Sequence, residues 1–274
     1  MSIITLTTDF GNKGYMIASI KGSILKELPD ARLIDITHDI EPFNIGKAAF
    51  IIKNVYPDFP KGTIHIIGVD ALPNKVTKLL AAQIDGHYFI AADNGILSLI
   101  LSEQRPENMV EITLGRFNEL SNFPSRDIFV PVACHLSRGG KLEIIGNPTM
   151  KYKELNVLRP VVQNDVTLSG SVIHVDNFGN VVTNIQRKMF EEIRRGRNFE
   201  VLVRNFRFNR ILERYSDIVK DFENEVASHG DSMVLFNSSG FLEVAVYKAN
   251  PQSFGGASSL FGLDLGDRIS IEFS

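Results

Sequence analysis

Five polar clusters interrupt apolar runs in this 274-residue chain: Thr7-Thr8-Asp9-Phe10-Gly11, Asp70, Asp93-Asn94-Gly95, Asp176-Asn177-Phe178-Gly179-Asn180 and Asn237-Ser238-Ser239-Gly240. Their carboxylates accept hydrogen bonds and their amides and hydroxyls can both donate and accept, so five such strand ends suggest one shared site. The richest cluster lies inside VIHVDNFGNVVTNI at 172–185, where a carboxylate, amides and an aromatic ring surround one glycine. A hairpin needs only a residue or two that tolerate positive φ, so a plain turn is one reading of this stretch and a ligand loop the other. Repetition favours the ligand loop. Each cluster closes an apolar run that reads as a buried strand, and ligands of open α/β sheets gather at strand ends.

The elements that must hold these clusters have two textures. Over residues 1–160, strand-like runs (SIITLTT, ARLIDIT, TIHIIGVD, MVEIT) alternate with helical spacing at Tyr15–Leu28 and Ile45–Val55. LLAAQID and HYFIAA form a hairpin about Asp85-Gly86, and Gly95–Leu101 opens a short helix. This alternation predicts an α/β N-terminal domain with a largely parallel central sheet. A helix near Asp127–Ser137 contains Pro131, which is tolerable in a first turn, where its missing N–H has little intrahelical role. From 168 to 274 the texture becomes short, closely spaced strands, predicting a β-rich C-terminal domain, barrel or sandwich. The boundary is expected in Leu158–Leu168, and Ile211–Val226 reads as an irregular or helical excursion.

Composition narrows the function. With 44% hydrophobic residues, 22% charged residues and a net charge of −3, the chain shows no basic stripe for nucleic acid. The arginines of 187–214 alternate with Glu191, Glu192, Glu200 and Glu213, as on a solvated face. The single Cys134 excludes an intramolecular disulfide and a multi-cysteine zinc site, and its apolar surroundings make it a buried small hydrophobe. No apolar run of membrane-spanning length and no targeting motif is evident, so a cytoplasmic protein without a membrane partner is expected. No metal constellation is seen.

Taken in order, TTDFGNKGYMIASIKG at 7–22, DITHDIEPFNIGKAAF at 35–50, IHIIGVD at 64–70, DGHYFIAADNGILS at 85–98, FPSRDIFVPVACHL at 123–136, VIHVDNFGNVVTNI, NSSGFLEVAV at 237–246 and LGDRISIEF at 265–273 resemble one family. It is the S-adenosyl-L-methionine hydroxide adenosyltransferases, relatives of fluorinase and chlorinase. The resemblance covers nearly the whole chain. It implies an α/β domain joined to a β-rich domain, and homotrimers whose sites lie between the N-terminal domain of one subunit and the C-terminal domain of the next. It implies attack on ribose C5′ of S-adenosylmethionine with loss of methionine, without a cofactor; the nucleoside enters as substrate or ligand.

Residue by residue, the resemblance gives Asp9 to the ribose diol, although alone Asp9 reads equally as an Asx turn before Gly11. It gives Asp176 to the methionine ammonium. Asn180 and the Ser238–Val246 segment, including Glu243 and Val246, would frame the adenine. Phe43, Phe123 and Phe178 would form apolar walls, against the plainer reading of core phenylalanines. Asp70 is the candidate for directing the water. The family's hydrolases follow this aspartate with Pro-Gly-Val-Gly and an arginine, and carry a histidine before Gly-Arg-Asp. Here Ala71-Leu72-Pro73-Asn74 follows, Thr77-Lys78 stands where the arginine is expected, and Pro124 replaces the histidine. Lys78 would restore positive charge without arginine's planar fork, and none of the six histidines is an obvious substitute. Ser125 stands where the fluorinase has a halide-contacting serine; a helix N-cap is its other reading. Three functions follow: hydrolysis of S-adenosylmethionine to adenosine and methionine, a non-catalytic or regulatory nucleoside-binding trimer, and a halide-using transferase, which a retained Asp70 disfavours by repelling anions.

Overall fold

Apolar side chains remove both faces of the central strands of the first sheet from water. Ile4 and Leu6 of β1 (Ile3–Thr8) pack with Ile64 and Ile66 of β3 (Ile64–Gly68) in one core, while Ile67 and Val69 belong to a second core. In the computed structural model, which describes residues 3–74, 76–102, 104–114, 121–155, 159–253 and 255–274, the chain divides into two units, Met1–Val157 and Leu158–Ser274.

In the first unit, β1 runs parallel to β2 (Arg32–Thr37) and to β3, and β3 runs parallel to β5 (His87–Ala92). Beyond β5 the pairing turns antiparallel through β4 (Leu79–Ile84), β6 (Asn108–Ile112) and β7 (Gly146–Pro148), giving the order β2-β1-β3-β5-β4-β6-β7. Asp85-Gly86 forms the β4–β5 hairpin turn, as the sequence predicts. Helices α1 (Met16–Glu27) and α4 (Val130–Ser137) cover one face through Ile20, Ile24, Val132 and Leu136. Helices α2 (Ile45–Val55) and α3 (Ile96–Leu101) cover the other through Ala48, Ile52, Ile96 and Ile100. Each fully buried aliphatic side chain contributes about 1.5–3 kcal/mol, so stripping either helical layer would exceed a domain's usual net stability of about 5–15 kcal/mol. The α/β expectation holds.

The helix before α4 departs from expectation. Pro131 does lie in the first turn of α4, but the helical path starts earlier, with a wide π-helical turn over Ser125–Phe129. Such turns shift the hydrogen-bond spacing, here just ahead of a residue that supplies no N–H. Ser125 is accordingly not the N-cap: Pro124 precedes the turn and no side-chain cap bond forms. Cys134 is fully buried as predicted, and burial pushes its thiol up to about 11, so it packs as an inert hydrophobe.

In the second unit the named strands pair antiparallel, and Leu212 adds an isolated parallel bridge to Leu235. Strands β9 (Thr167–Val175), β10 (Val181–Gln186), β11 (Phe199–Val203), β12 (Phe206–Phe208), β13 (Ser232–Phe236), β14 (Phe241–Val246) and β15 (Arg268–Phe273) follow the order β12-β11-β15-β9-β10-β14-β13, with β8 (Val161–Gln163) beside β9. This barrel-like sheet closes on Phe190 of α5 (Arg187–Arg194), Phe261 of α6 (Ala257–Phe261), Phe236 and Phe273. The predicted excursion consists of two 3-10 segments, Tyr215–Ile218 and Phe222–Ser228. Among the described residues no helix is long and apolar enough to cross a membrane.

Candidate functional site

Three parallel strands deliver Asp9, Asp70 and Asn94 to one edge of the first sheet. Asp9 directly follows β1; Asp70 and Asn94 come two residues after β3 and β5. Asp9 is no Asx turn onto Gly11, whose N–H bonds the His38 carbonyl instead. Its Oδ2 accepts from the Phe43 N–H at 2.9 Å and, more loosely, from the Asp70 N–H at 3.4 Å. Its Oδ1 takes no bond from the described residues and remains a spare acceptor.

Both residues that donate to Asp9 have left-handed backbones, Phe43 at φ 65° and Asp70 at φ 45°. For non-glycine residues this costs of order 1–3 kcal/mol, and such strain collects at functional sites. Phe43 is 68% exposed, a large apolar ring left in water beside a carboxylate. Asp70 is exposed, and its carboxylate has no partner among the described residues.

Asn94 was legible only as part of a polar cluster. Its buried amide donates from Nδ2 to the carbonyls of Val69 at 3.1 Å and Asp70 at 3.0 Å, while Oδ1 accepts from the Ile96 N–H at 3.1 Å. Asp93, its neighbour, serves elsewhere: Oδ1 accepts from the Lys153 N–H at 2.6 Å. Lys78 just precedes β4, and its ammonium pairs with Glu111 on β6, on the side of β4 away from β3. The structure therefore commits the ammonium to a carboxylate other than Asp70.

Ser125 is wholly buried and its Oγ finds no partner among the described residues. It faces Gly68 at the end of β3: a Cβ at Gly68 would lie 2.7 Å from Ser125 Oγ and 3.1 Å from Thr8 Cγ2. Behind it, Thr8 Oγ1 meets His38 Nδ1 at 2.9 Å, and His38 Nε2 lies 3.1 Å from Asp35 Oδ1. Phe123 is buried, with Phe10 edge-on at 5.8 Å and the Arg126 guanidinium 5.0 Å from its ring, so of the three candidate walls it has the plainer, core position.

The second unit presents its own polar end. Asp176 Oδ1 accepts from the N–H groups of Phe178 and Asn180 at 2.8 Å each, and Oδ2 accepts from Asn180 Nδ2 at 3.0 Å. Three of roughly four acceptor positions of this carboxylate thus shape the turn itself. Phe178 at its tip is 62% exposed. Gly179, at φ 76°, is irreplaceable for a second reason: a Cβ there would lie 2.9 Å from Gly256 Cα, against which the turn is laid. Asn180 is 5% exposed, and its Oδ1 is buried without a partner among the described residues.

Glu243 is engaged inside this unit. The Tyr215 hydroxyl donates to Oε1 at 2.6 Å and Asn237 Nδ2 to Oε2 at 3.1 Å, while Asn237 Oδ1 receives the N–H groups of Ser239 and Phe241. Burial raises the Glu243 carboxyl, and burial with the Glu243 contact raises the Tyr215 phenol. The carboxylate therefore holds the turn that carries exposed Ser238, and Val246 lies half-buried at the end of the same strand. Tyr215 was missed by sequence reasoning, since it lies 28 residues from its partner in an irregular segment. Among the described residues no three His, Cys, Asp or Glu side chains gather as a metal site.

The chain is similar to known proteins along nearly all its length. A family described as the SAM hydroxide adenosyltransferase N-terminal domain matches residues 4–146, and its C-terminal counterpart matches residues 170–270. An (R)-S-adenosyl-L-methionine hydrolase of Methanocaldococcus jannaschii is 31% identical, over 99% of this chain and 96% of its own. A fluorinase of Actinopolyspora mzabensis is 25% identical, over 89% of this chain and 90% of its own. The crystal structure of an uncharacterized conserved protein from Thermotoga maritima superposes with a TM-score of 0.83 at 32% identity, over 98% and 99% of the two chains.

Proposed function

Since the chain belongs to the SAM hydroxide adenosyltransferase family, we propose that it hydrolyses S-adenosyl-L-methionine to adenosine and L-methionine. Water attacks ribose C5′, the new C–O bond forms as the C5′–S bond breaks, and the bond's electron pair returns to sulfur, discharging the sulfonium as methionine. One proton leaves the attacking water. The sulfonium needs no acid to depart, so the protein's task is to align water with C5′ and receive that proton. The observation that carries this reading is Asp70, an exposed carboxylate on a strained backbone whose N–H bonds the neighbouring Asp9.

In this proposal Asp9 Oδ1 accepts from the ribose diol and Phe43 lies against the sugar. In the second unit, Asn180 Oδ1 accepts from the adenine amino group, Ser238 and the strand to Val246 flank the base with Glu243 holding their turn, and the remaining acceptor of Asp176 meets the methionine ammonium beside Phe178. Lys78 acts through Glu111, with which it is paired. The homotrimer implied by the resemblance is part of the proposal, and light scattering tests it. Relatives' names specify the (R) form, so both sulfonium epimers belong in the assay.

One observation favours a second reading. The Ser125 hydroxyl, without a partner among the described residues, is a buried donor suited to a small anion, which would make a halide the nucleophile. Incubation with S-adenosylmethionine, with and without chloride or fluoride, followed by chromatography separates the readings. Adenosine and methionine support hydrolysis, a 5′-halo-adenosine supports the second reading, and tight binding without products leaves a nucleoside-binding protein.

A further inference from the structure

Asn94 uses all three of its side-chain polar contacts on backbone, and the pattern is not that of a simple helix cap. The turn into α3, whose N-cap is Gly95, needs only the acceptor that meets the Ile96 N–H, which an aspartate would supply equally well. What only the amide supplies is the donor pair: Nδ2 reaches the Val69 carbonyl at 3.1 Å and the Asp70 carbonyl at 3.0 Å, across 25 and 24 residues of sequence. An aspartate would turn an acceptor toward two acceptors.

Those two carbonyls lie on either side of the Asp70 Cα, the atom whose φ is 45°. The Asp70 N–H itself makes only the 3.4 Å contact to Asp9 Oδ2, on the carboxylate whose Oδ1 is assigned to the ribose. The firm anchor is therefore Asn94, which holds the carbonyl on each side of the Asp70 Cα. It is buried, it comes from a neighbouring parallel strand, and a ribose diol bonded to Asp9 does not compete with it. We infer that Asn94 is a positioning residue for Asp70, fixing the strained backbone so that the carboxylate stays aimed at the attacking water while Asp9 turns to the ribose. The inference rests on the hydrolytic reading of the site.

The test compares wild type, Asn94→Ala, Asn94→Asp, Asp70→Asn and the double variant Asp70→Asn/Asn94→Ala for adenosine release and for calorimetric affinity toward S-adenosylmethionine. Misplacement by about 1 Å costs on the order of 100-fold in rate, so kcat should fall by about that factor in both Asn94 variants. Affinity and KM should move by less than about threefold, because Asn94 touches no substrate. In the Asp70→Asn background, removing Asn94 should cost kcat nothing further, since it acts only through the lost carboxylate. Equal losses of kcat and affinity, an unchanged kcat, or full additivity in the double variant would overturn the role. Should Asn94→Asp not fold, Asn94→Ala gives the same decision without a buried charge. A wild type that binds S-adenosylmethionine yet releases no adenosine would instead refute the hydrolytic reading, and the role of Asn94 in it falls too.

Discussion

Acid should unfold the first unit through one buried pair of imidazoles. His65, in the middle of β3, is 1% exposed and stacks on Phe89 at 4.7 Å; its Nδ1 meets Thr5 Oγ1 at 2.7 Å and its Nε2 meets His87 Nδ1 at 3.3 Å. Burial, with the second imidazole beside it, lowers His65 to about 3, and burial also lowers His87. The unfolded chain takes up a proton near pH 6.5, whereas the folded chain refuses it down to about pH 3. Between those limits the unfolded state binds more protons, so stability is full above pH 6.5 and declines as pH falls, by about 1.4 kcal/mol per unit for one site. At pH 5 the loss from His65 alone is about 2 kcal/mol, a large part of a net stability of about 5–15 kcal/mol. Urea unfolding at pH 8, 7, 6 and 5, compared between wild type and His65→Gln, reads this directly. The variant is less stable at pH 8 because Thr5 and His87 lose a fitted partner, but its decline with acid should be shallower by about one proton. Parallel declines in the two proteins would refute the reasoning.

Two further perturbations read other parts of the site. Gly68→Ala drives a methyl toward Ser125 Oγ and Thr8 Cγ2, so it should cost about 1–3 kcal/mol by urea unfolding; a variant as stable as wild type would mean that the wide turn at Ser125 yields freely. Glu243→Ala leaves the Tyr215 hydroxyl and the Asn237 amide without their acceptor, for a loss of about 1–3 kcal/mol, with Glu243→Gln intermediate. Unchanged stability in both Glu243 variants would show that water replaces the carboxylate at no cost.

Periodic features of the sequence translated directly into structure. Strands β1, β3 and β5 were legible because their apolar runs break at polar residues, and the hairpin at Asp85-Gly86 because its turn chemistry is local. The Asp176 turn shows why one cluster supported two readings: its carboxylate shapes a hairpin, which any sequence with these residues would favour, and the same hairpin leaves Asn180 Oδ1 buried with no partner among the described residues. Contacts set by strand register were not legible. Asp9 meets an N–H 61 residues away, Asn94 meets carbonyls 24 and 25 residues away, and Lys78 finds Glu111 33 residues on. None of these separations leaves a spacing signal, because each depends on which strands become neighbours. The π-helical turn at Ser125 was hidden for a different reason: Pro131 announces a helix start close to itself, whereas the path begins six residues before it.

The central claim is that water, directed by Asp70, attacks ribose C5′ of S-adenosylmethionine. Turnover in ¹⁸O-labelled water, with mass analysis of both products, tests it most directly. The account predicts one ¹⁸O in the 5′-hydroxyl of adenosine and none in methionine, with Asp70→Asn slowed by about 100-fold or more at nearly unchanged affinity. Adenosine without label, a 5′-halo-adenosine as the product, or an Asp70→Asn protein as fast as wild type would contradict it.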